Sequence, residues 1–580
     1  MAPATAAESS RSMVGTPGSR VLVREANIAL NAFLRRHAVA LAVFVLASIL
    51  TGSHYGGDTN TFAKDVIEFN QGRLHDFWDV GHLLWRPLGY VLFRMLPSLP
   101  EWLQGPDAAR RVVYLLVGVN WIAGLGTVLL MHSVLLRFTK RRVADVAICA
   151  FVFGNAFLNY YRTGNAYIPG LFCLTAALYF LAVPDEQSRS TVRIWIGGTF
   201  AGLSICFWLV YLWSVPAVLL LPLVLLGPSK QRFHDLLQSC LACGLVVAAA
   251  LGIVMVHLGI DSVAGFRAWV SASSHGIEGI NGLSRMGFGF ARSVIDMGSD
   301  GAVFKRFLLH DPISPVPLSE LIRSSLWKLG LFYGTLGFAT VVLFRRAKSR
   351  PCAVLLCLAG LPVLAFGAFW QGGDLERYLP LYPILVLALG VAATQVAPRT
   401  VPSFVLALLV AVTVVTNTVA FSRRALARKN EQPARQAKLL TELIRPESRI
   451  VVEPHNALRA YKNDVLFDSA AEKLDFYLVV EIGNRNSYLW RSDFAAMALD
   501  TWQRGGDVWL VKCLRTSVPG PCKWVEGDDA HVGWSDFDSF FSQLDTGNSI
   551  GGDDGFVQLI RTETSVRLLT HTLMSGQITY

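Results

Sequence analysis

A chain of 580 residues that is 53% hydrophobic and only 16% charged, with 34 Phe and 15 Trp, falls well short of the roughly one-quarter charged residues of soluble globular proteins. That excludes an ordinary water-soluble enzyme and makes the bilayer the natural solvent for the excess apolar surface. The net charge of +10 does not read as a nucleic-acid footprint, because Lys and Arg gather in short clusters between apolar runs, as they do where charge sets membrane orientation.

Residues 1–36 are Ala/Ser-rich and basic and are expected to form a disordered cytoplasmic tail. No cleavable signal is evident, since no small-residue cleavage pattern follows the first apolar run. That run, His37 to Gly52, is the first span, and Arg35 and Arg36 before it favour a cytoplasmic N-terminus. A polar loop over 53–111 follows. Within it, Phe62, Val66 and Phe69 form an apolar stripe with Lys64, Asp65 and Glu68 off it, which predicts a helix on the membrane surface. His82 to Leu96 is too short to span and reads as a second juxtamembrane helix.

Further spans are predicted over Val112–Leu136, Val143–Leu158, Ala166–Val183, two short ones within Ile194–Leu226, Leu236–Leu258, Leu326–Phe344, Ala353–Phe369, Leu379–Val396 and Val401–Phe421. A long loop over 259–323 carries Trp269, His275, Arg285 and Arg292, and its aromatic and Gly content reads as a structured, mobile cap. The basic clusters at 137–142, 189–193, 230–232 and 345–350 then share the cytoplasmic side. The 53–111 loop, the Tyr160–Arg162 turn, the long loop and the Gly372–Tyr378 break share the other. From 422 to 580, short β-like runs (449–453, 508–512, 556–560) alternate with helical stretches (435–444, 494–504), the pattern of an α/β domain outside the cytosol. No Asn-x-Ser/Thr sequon occurs, which favours a bacterial envelope over a eukaryotic lumen.

Of nine Cys, Cys149, Cys173, Cys206, Cys240, Cys243, Cys352 and Cys357 lie in or beside apolar runs and read as small hydrophobes. Cys513 and Cys522 flank a Pro-Gly-Pro turn, and outside the cytosol a disulfide between them is expected.

The stretch Ser53–Tyr90 is dense in Asp, His, Trp and Arg beside oil, and ionisable groups at a membrane boundary mark function by default. His75, Asp79 and His82 stand at i, i+4 and i+7, which would place them on one helix face. That spacing is compatible with a metal site, though substrate contact by His82 is the preferred role and no metal or other cofactor is required.

Three motifs on the extracytoplasmic side carry a family likeness: GGDTN (56–60), NYYRTGNAY (159–167) and GGDLERYLPLYP (372–383). Their order resembles the GT-C glycosyltransferases that use polyprenyl-phosphate sugars, a group that includes protein O-mannosyltransferases and the lipid A aminoarabinose transferase. The resemblance implies that Asp58, the acidic residue after the first span, is the general base. The alternative for Asp58 is a helix N-cap with Thr59 and Thr61. A lipid-phosphate leaving group calls for arginine. Arg377 is the first candidate, with Arg162 and Arg86 behind it and Tyr161, His82, Glu376 and Tyr378 as further substrate contacts. For Arg377 the alternatives are an ion pair with Asp374 or Glu376, or snorkelling to the interface. An acidic pair and a Pro-Pro element of the family's first loop are replaced by HLLWRPLGY.

The fold expected is thus a polytopic α-helical, GT-C-like membrane protein of about eleven membrane helices over 37–421, with a soluble α/β domain over 422–580. The expected activity is transfer of a sugar from a polyprenyl-phosphate donor to a glycolipid, polysaccharide or protein acceptor at the plasma (inner) membrane. A lipid or polysaccharide transporter predicts internal repeats and ionisable groups in mid-span, which the sequence lacks. A membrane-anchored assembly protein leaves the polar loop clusters without a role.

Overall fold

The computed structural model describes residues 17–51, 58–73, 77–95, 108–182, 190–272, 282–298, 303–304, 307, 316–396, 401–426, 431–453, 456–464, 469–479, 489–515, 534–552 and 555–577. Among these, seven helices are long and apolar enough to cross a membrane: Asn31–Thr51, Arg110–Phe138, Lys230–His257, Leu318–Arg345, Arg350–Phe369, Glu376–Gln395 and Phe404–Arg423. Two shorter apolar helices, Tyr167–Leu181 and Thr191–Phe207, complete a polytopic bundle.

Several expected boundaries move. The first helix begins at Pro17, so residues 17–36 are helical rather than a disordered tail. The expected span 143–158 is two helices, Arg141–Val152 and Asn155–Tyr160, broken at Gly154. A Cβ on Gly154 would lie 2.8 Å from the Tyr382 ring, so the break is where two segments approach too closely for a side chain. Residues 194–226 are a helix to Phe207, a tight 3₁₀ segment Leu209–Trp213 and the short helices Val215–Leu219 and Leu221–Leu226. The 259–323 stretch, expected to be a structured cap, contains the helices Val263–Ala272 and Gly282–Val294. The latter buries Phe288, Phe290 and Ala291 in the bundle core.

Tyr167–Leu181 lies at the centre of the bundle. It is apolar on all faces and almost all of its side chains are buried, as expected of a helix with no polar stripe to show to solvent. Asn417 ties the periphery together. Its Nδ2 donates to Phe153 O (2.6 Å) and Val294 O (2.8 Å), and its Oδ1 accepts from the Asp296 N–H (2.6 Å). In hydrocarbon, these freed backbone groups have no water to turn to.

The C-terminal part has its own core. Strands β1 (Arg449–Val452), β2 (Phe476–Leu478), β3 (Val508–Val511), β4 (Thr546–Ile550) and β5 (Phe556–Leu559) form one sheet in the order β2-β1-β3-β5-β4. Strands β1, β2 and β3 run parallel, while β5 and β4 add antiparallel. All of β3 is buried, as a central strand covered on both faces must be. Cys513, two residues after its end, is disulfide-bonded; Cys522 lies outside the described residues.

Asn417→Ala strands three buried backbone groups at about 1–3 kcal/mol each. Detergent-solubilised Asn417→Ala is expected to lose about 3 kcal/mol or more of stability in thermal unfolding, and an unchanged midpoint refutes the bridging role.

Candidate functional site

The Asp58–Asn70 helix is amphipathic, burying Phe62, Ala63 and Val66. Phe62 and Val66 join Phe77, Trp85, Val112, Val113 and Leu116 in a small apolar cluster. Polar bonds fix its start. The Thr59 hydroxyl accepts from the Gly164 N–H (2.8 Å) and donates to Asn165 Oδ1 (3.1 Å). Trp85 Nε1 donates to Gly164 O (2.9 Å), and Asn120 Nδ2 donates to Thr163 O and Asn165 O (2.5 and 2.7 Å). A Cβ on Gly164 would meet Thr59 Cγ2 at 2.7 Å, so glycine permits the helix to seat on the 163–165 turn. This docking brings Asp58 to Tyr167, whose Oη donates to Asp58 Oδ2 (2.9 Å). Asp58 is the first helical residue and exposed.

A cavity of about 530 Å³ opens beside it. It is lined by Asp58, Phe62, Asp79, His82 and Arg86 from the first polar stretch, by Trp370, Gln371, Asp374, Glu376 and Arg377 from the 370–377 break, and by Tyr167, Trp208 and Trp213. The expected residues Asp58, His82, Arg86, Glu376 and Arg377 are therefore brought together from distant parts of the chain.

The two cavity arginines differ in engagement. Arg86 Nε donates to Asp65 Oδ2 (2.7 Å), and its Nη1 lies 3.8 Å from Asp79 Oδ2, so its charge is balanced by carboxylates. Burial pushes the Asp65 carboxyl above its usual range, against the pull of Arg86. Arg377 instead lies over the Trp370 ring (4.6 Å) and near that of Trp208 (5.8 Å). Its Nη2 donates to Gln371 Oε1, Asp374 is 4.0 Å away, and its Nε has no hydrogen-bond partner among the described residues. Gln371 reaches it from a backbone at φ +47°, a left-handed conformation rare for a side-chain-bearing residue. Buried Glu376 accepts from Tyr160 Oη (2.5 Å).

His82 Nδ1 bonds Asp79 Oδ2 (3.0 Å), while its buried Nε2 has no partner among the described residues, and His82 lines the cavity. The Asp79 carboxylate also accepts from the Gly81 N–H (2.8 Å). Burial by itself raises the Asp79 carboxyl; the bond and charge of His82, the Gly81 N–H and Arg86 outweigh it and hold Asp79 below the usual range. The helical face expected for His75, Asp79 and His82 does not form. Val80–His82 is a 3₁₀ turn capped by Asp79, and His75 lies outside the described residues. Among the described residues, no group of three or more His, Cys, Asp or Glu side chains is placed to hold a metal.

Three expected contacts do not line the cavity. Tyr161 Oη bonds Ser48 Oγ (3.1 Å). Arg162 is buried over the Tyr161 and Phe421 rings and donates to Leu158 O. Tyr378 Oη donates to Gly372 O (2.6 Å) and Met286 O (3.1 Å). The helix breaks decide this: of the adjacent tyrosines it is Tyr160, not Tyr161, that faces Glu376. Trp208 and Trp370 carry no signal in the sequence, while Tyr160 and Tyr167 stand inside the NYYRTGNAY motif without being singled out as contacts.

No protein-family model matches the chain, and no curated protein sequence matches it. Solved structures do. ArnT from Cupriavidus metallidurans in the apo state superposes with a TM-score of 0.50 at 13% identity, over 93% of this chain and 99% of that chain. The same protein bound to undecaprenyl phosphate gives 0.49 at 12% identity, over 92% and 99%. The Archaeoglobus fulgidus oligosaccharyltransferase tethered with an acceptor peptide gives 0.41 at 11% identity, over 83% of this chain and 69% of that one. The superposition on apo ArnT runs the length of both chains and shows the GT-C fold expected from the sequence.

Because the Asp79 carboxyl is depressed on folding, its contribution to stability is complete above the unfolded value, about pH 4. It is lost as pH falls through the lower folded value. Asp79→Asn is expected to flatten this part of the acid limb in thermal unfolding between about pH 2 and 6, while an unaltered limb counts against the network.

Proposed function

We propose that this protein, built on the fold of ArnT, is an integral membrane glycosyltransferase. It moves a sugar from a polyprenyl-phosphate donor to an envelope acceptor (glycolipid, polysaccharide or protein) in one inverting displacement. The observation that carries the reading is the meeting, in one cavity, of a carboxylate oriented by a tyrosine and an arginine held by aromatic faces.

Each group has a task in such a step. Asp58 takes the proton of the acceptor hydroxyl as the oxygen attacks the anomeric carbon. The Tyr167 hydroxyl holds one carboxylate oxygen and leaves the other for the acceptor. The C–O bond to the lipid phosphate breaks on the opposite side, and the phosphate leaves with the bonding electrons. Arg377, whose Nε is unpartnered, meets that charge. His82 offers its open Nε2 to a sugar hydroxyl, with Asp79 fixing the ring. Trp208, Trp213 and Trp370 present flat apolar surface to a sugar ring or to the first isoprene units. A crystal of ArnT holds undecaprenyl phosphate, and a polyprenyl phosphate is the carrier proposed for this chain. The mechanism needs no metal ion.

The basic clusters at 137–142, 230–232 and 345–350 support an inner-membrane orientation with the N-terminus cytoplasmic. The cavity and the C-terminal domain then lie outside the cytosol.

Purified protein given a radiolabelled polyprenyl-phosphate sugar and envelope extract is expected to transfer label. Asp58→Asn lowers kcat by about a hundredfold or more with donor binding retained, and undiminished transfer in a folded variant removes Asp58 as base. Arg377→Ala is expected to weaken donor use with the fold retained; unchanged KM and kcat exclude the phosphate contact.

A further inference from the structure

A second cavity lies away from the site. It is an apolar groove of about 360 Å³ between the Arg141–Val152, Tyr382–Gln395 and Val401–Leu426 helices. Its walls are aliphatic over nearly their whole length, for example Val143, Val146, Leu385, Leu389, Leu406 and Val410. Two of its few hydroxyls are already used: Thr394 Oγ1 donates to Val391 O (2.7 Å) and Tyr382 Oη to Ser293 O. Nothing in such a groove rewards a polar solute. Left empty, its lining forfeits dispersion contacts on one side. A hydrocarbon chain restores them.

The mouth of the groove carries the opposite chemistry. Lys140 and Arg142 line it, both are exposed, and neither pairs with a carboxylate among the described residues. Arg141 between them turns away, its Nε 4.0 Å from Asp145 Oδ2. Two uncompensated cations at the rim of an apolar slot between membrane helices match a phosphate attached to an acyl chain.

The groove belongs to the other face of the bilayer. Val112, Val113 and Leu116, at one end of the Arg110–Phe138 span, pack with Phe62 of the cavity wall. Leu135 and Thr139, at its far end, pack beside Gly390 of the groove. Val113 and Phe138, within one helix, are 25 residues apart (138 − 113), about 38 Å at 1.5 Å per residue, a full bilayer thickness.

We propose that this groove binds one anionic phospholipid, its acyl chain in the slot and its phosphate on Lys140 and Arg142. The lipid is taken from the leaflet opposite the reaction cavity and is not a substrate. It wedges the Arg141–Val152 helix against Tyr382–Gln395, the helix that follows Arg377 in the chain.

The test uses the full-length protein in mild detergent, with phosphatidylglycerol and phosphatidylcholine titrated separately and bound lipid counted by native mass spectrometry. Half-saturation by phosphatidylglycerol is expected about thirtyfold below that by phosphatidylcholine, roughly fivefold for each cation. K140A/R142A is expected to erase that preference without touching the reaction cavity. Val146→Trp, at the exposed lip, blocks the slot and weakens binding of both lipids. Equal binding of the two lipids by the unaltered protein, or a preference that survives in K140A/R142A, overturns the headgroup assignment. Undiminished binding of both in Val146→Trp overturns the chain's place in the groove.

Discussion

The hydrogen-bonded seat of the Asp58–Asn70 helix on the 163–165 turn is the constraint from which the site follows. The turn interrupts the bundle and frees backbone groups where water is scarce, so side chains must satisfy them. Thr59, Trp85 and Asn120 do so from three separate elements. The same bonds place Asp58 against Tyr167. The groups that stabilise the turn are thus the groups that aim the carboxylate, and site geometry is tied to the integrity of the fold.

The arginines of the membrane boundary show how environment divides one residue type into different tasks. Arg86 is balanced by Asp65 and Asp79 and braces one wall. Arg162 lies against aromatic rings and its own helix, out of the cavity. Arg377 lies over two indole faces, donates to a neutral amide and has Asp374 at 4.0 Å. An indole face orients a cation without neutralising it, which leaves Arg377 less tightly engaged by carboxylates than Arg86. Four carboxylates also line the cavity: Asp58, Asp79, Asp374 and Glu376. Asp79 is occupied by His82 and Arg86, and Glu376 by Tyr160. Asp58 combines exposure, a single orienting hydroxyl and a place at the cavity wall.

Much of this was legible beforehand. Apolar run length announced the bundle, because an acyl interior tolerates little else over twenty residues. Apolar spacing in Phe62, Val66 and Phe69 announced the surface helix, and those residues pack as their phase requires. Polar interruptions flagged 159–165 and 371–378, because such residues are costly at membrane depth unless they have work there. Less visible were the breaks inside apolar segments. Gly154 and the 208–213 stretch stop helices through close packing with Tyr382 and Tyr167, residues remote in sequence.

Composition and pattern alone therefore announce a polytopic helical protein, an α/β pattern in its C-terminal part and an ionisable cluster beside the first apolar run, since each depends on local hydrophobicity and spacing. The choice of Tyr160 over Tyr161, of Arg377 over Arg162, and the pairing of Asp58 with Tyr167 belong to the folded chain. They turn on which way a side chain points after an irregular break, and that direction is set by long-range packing that no local periodicity encodes.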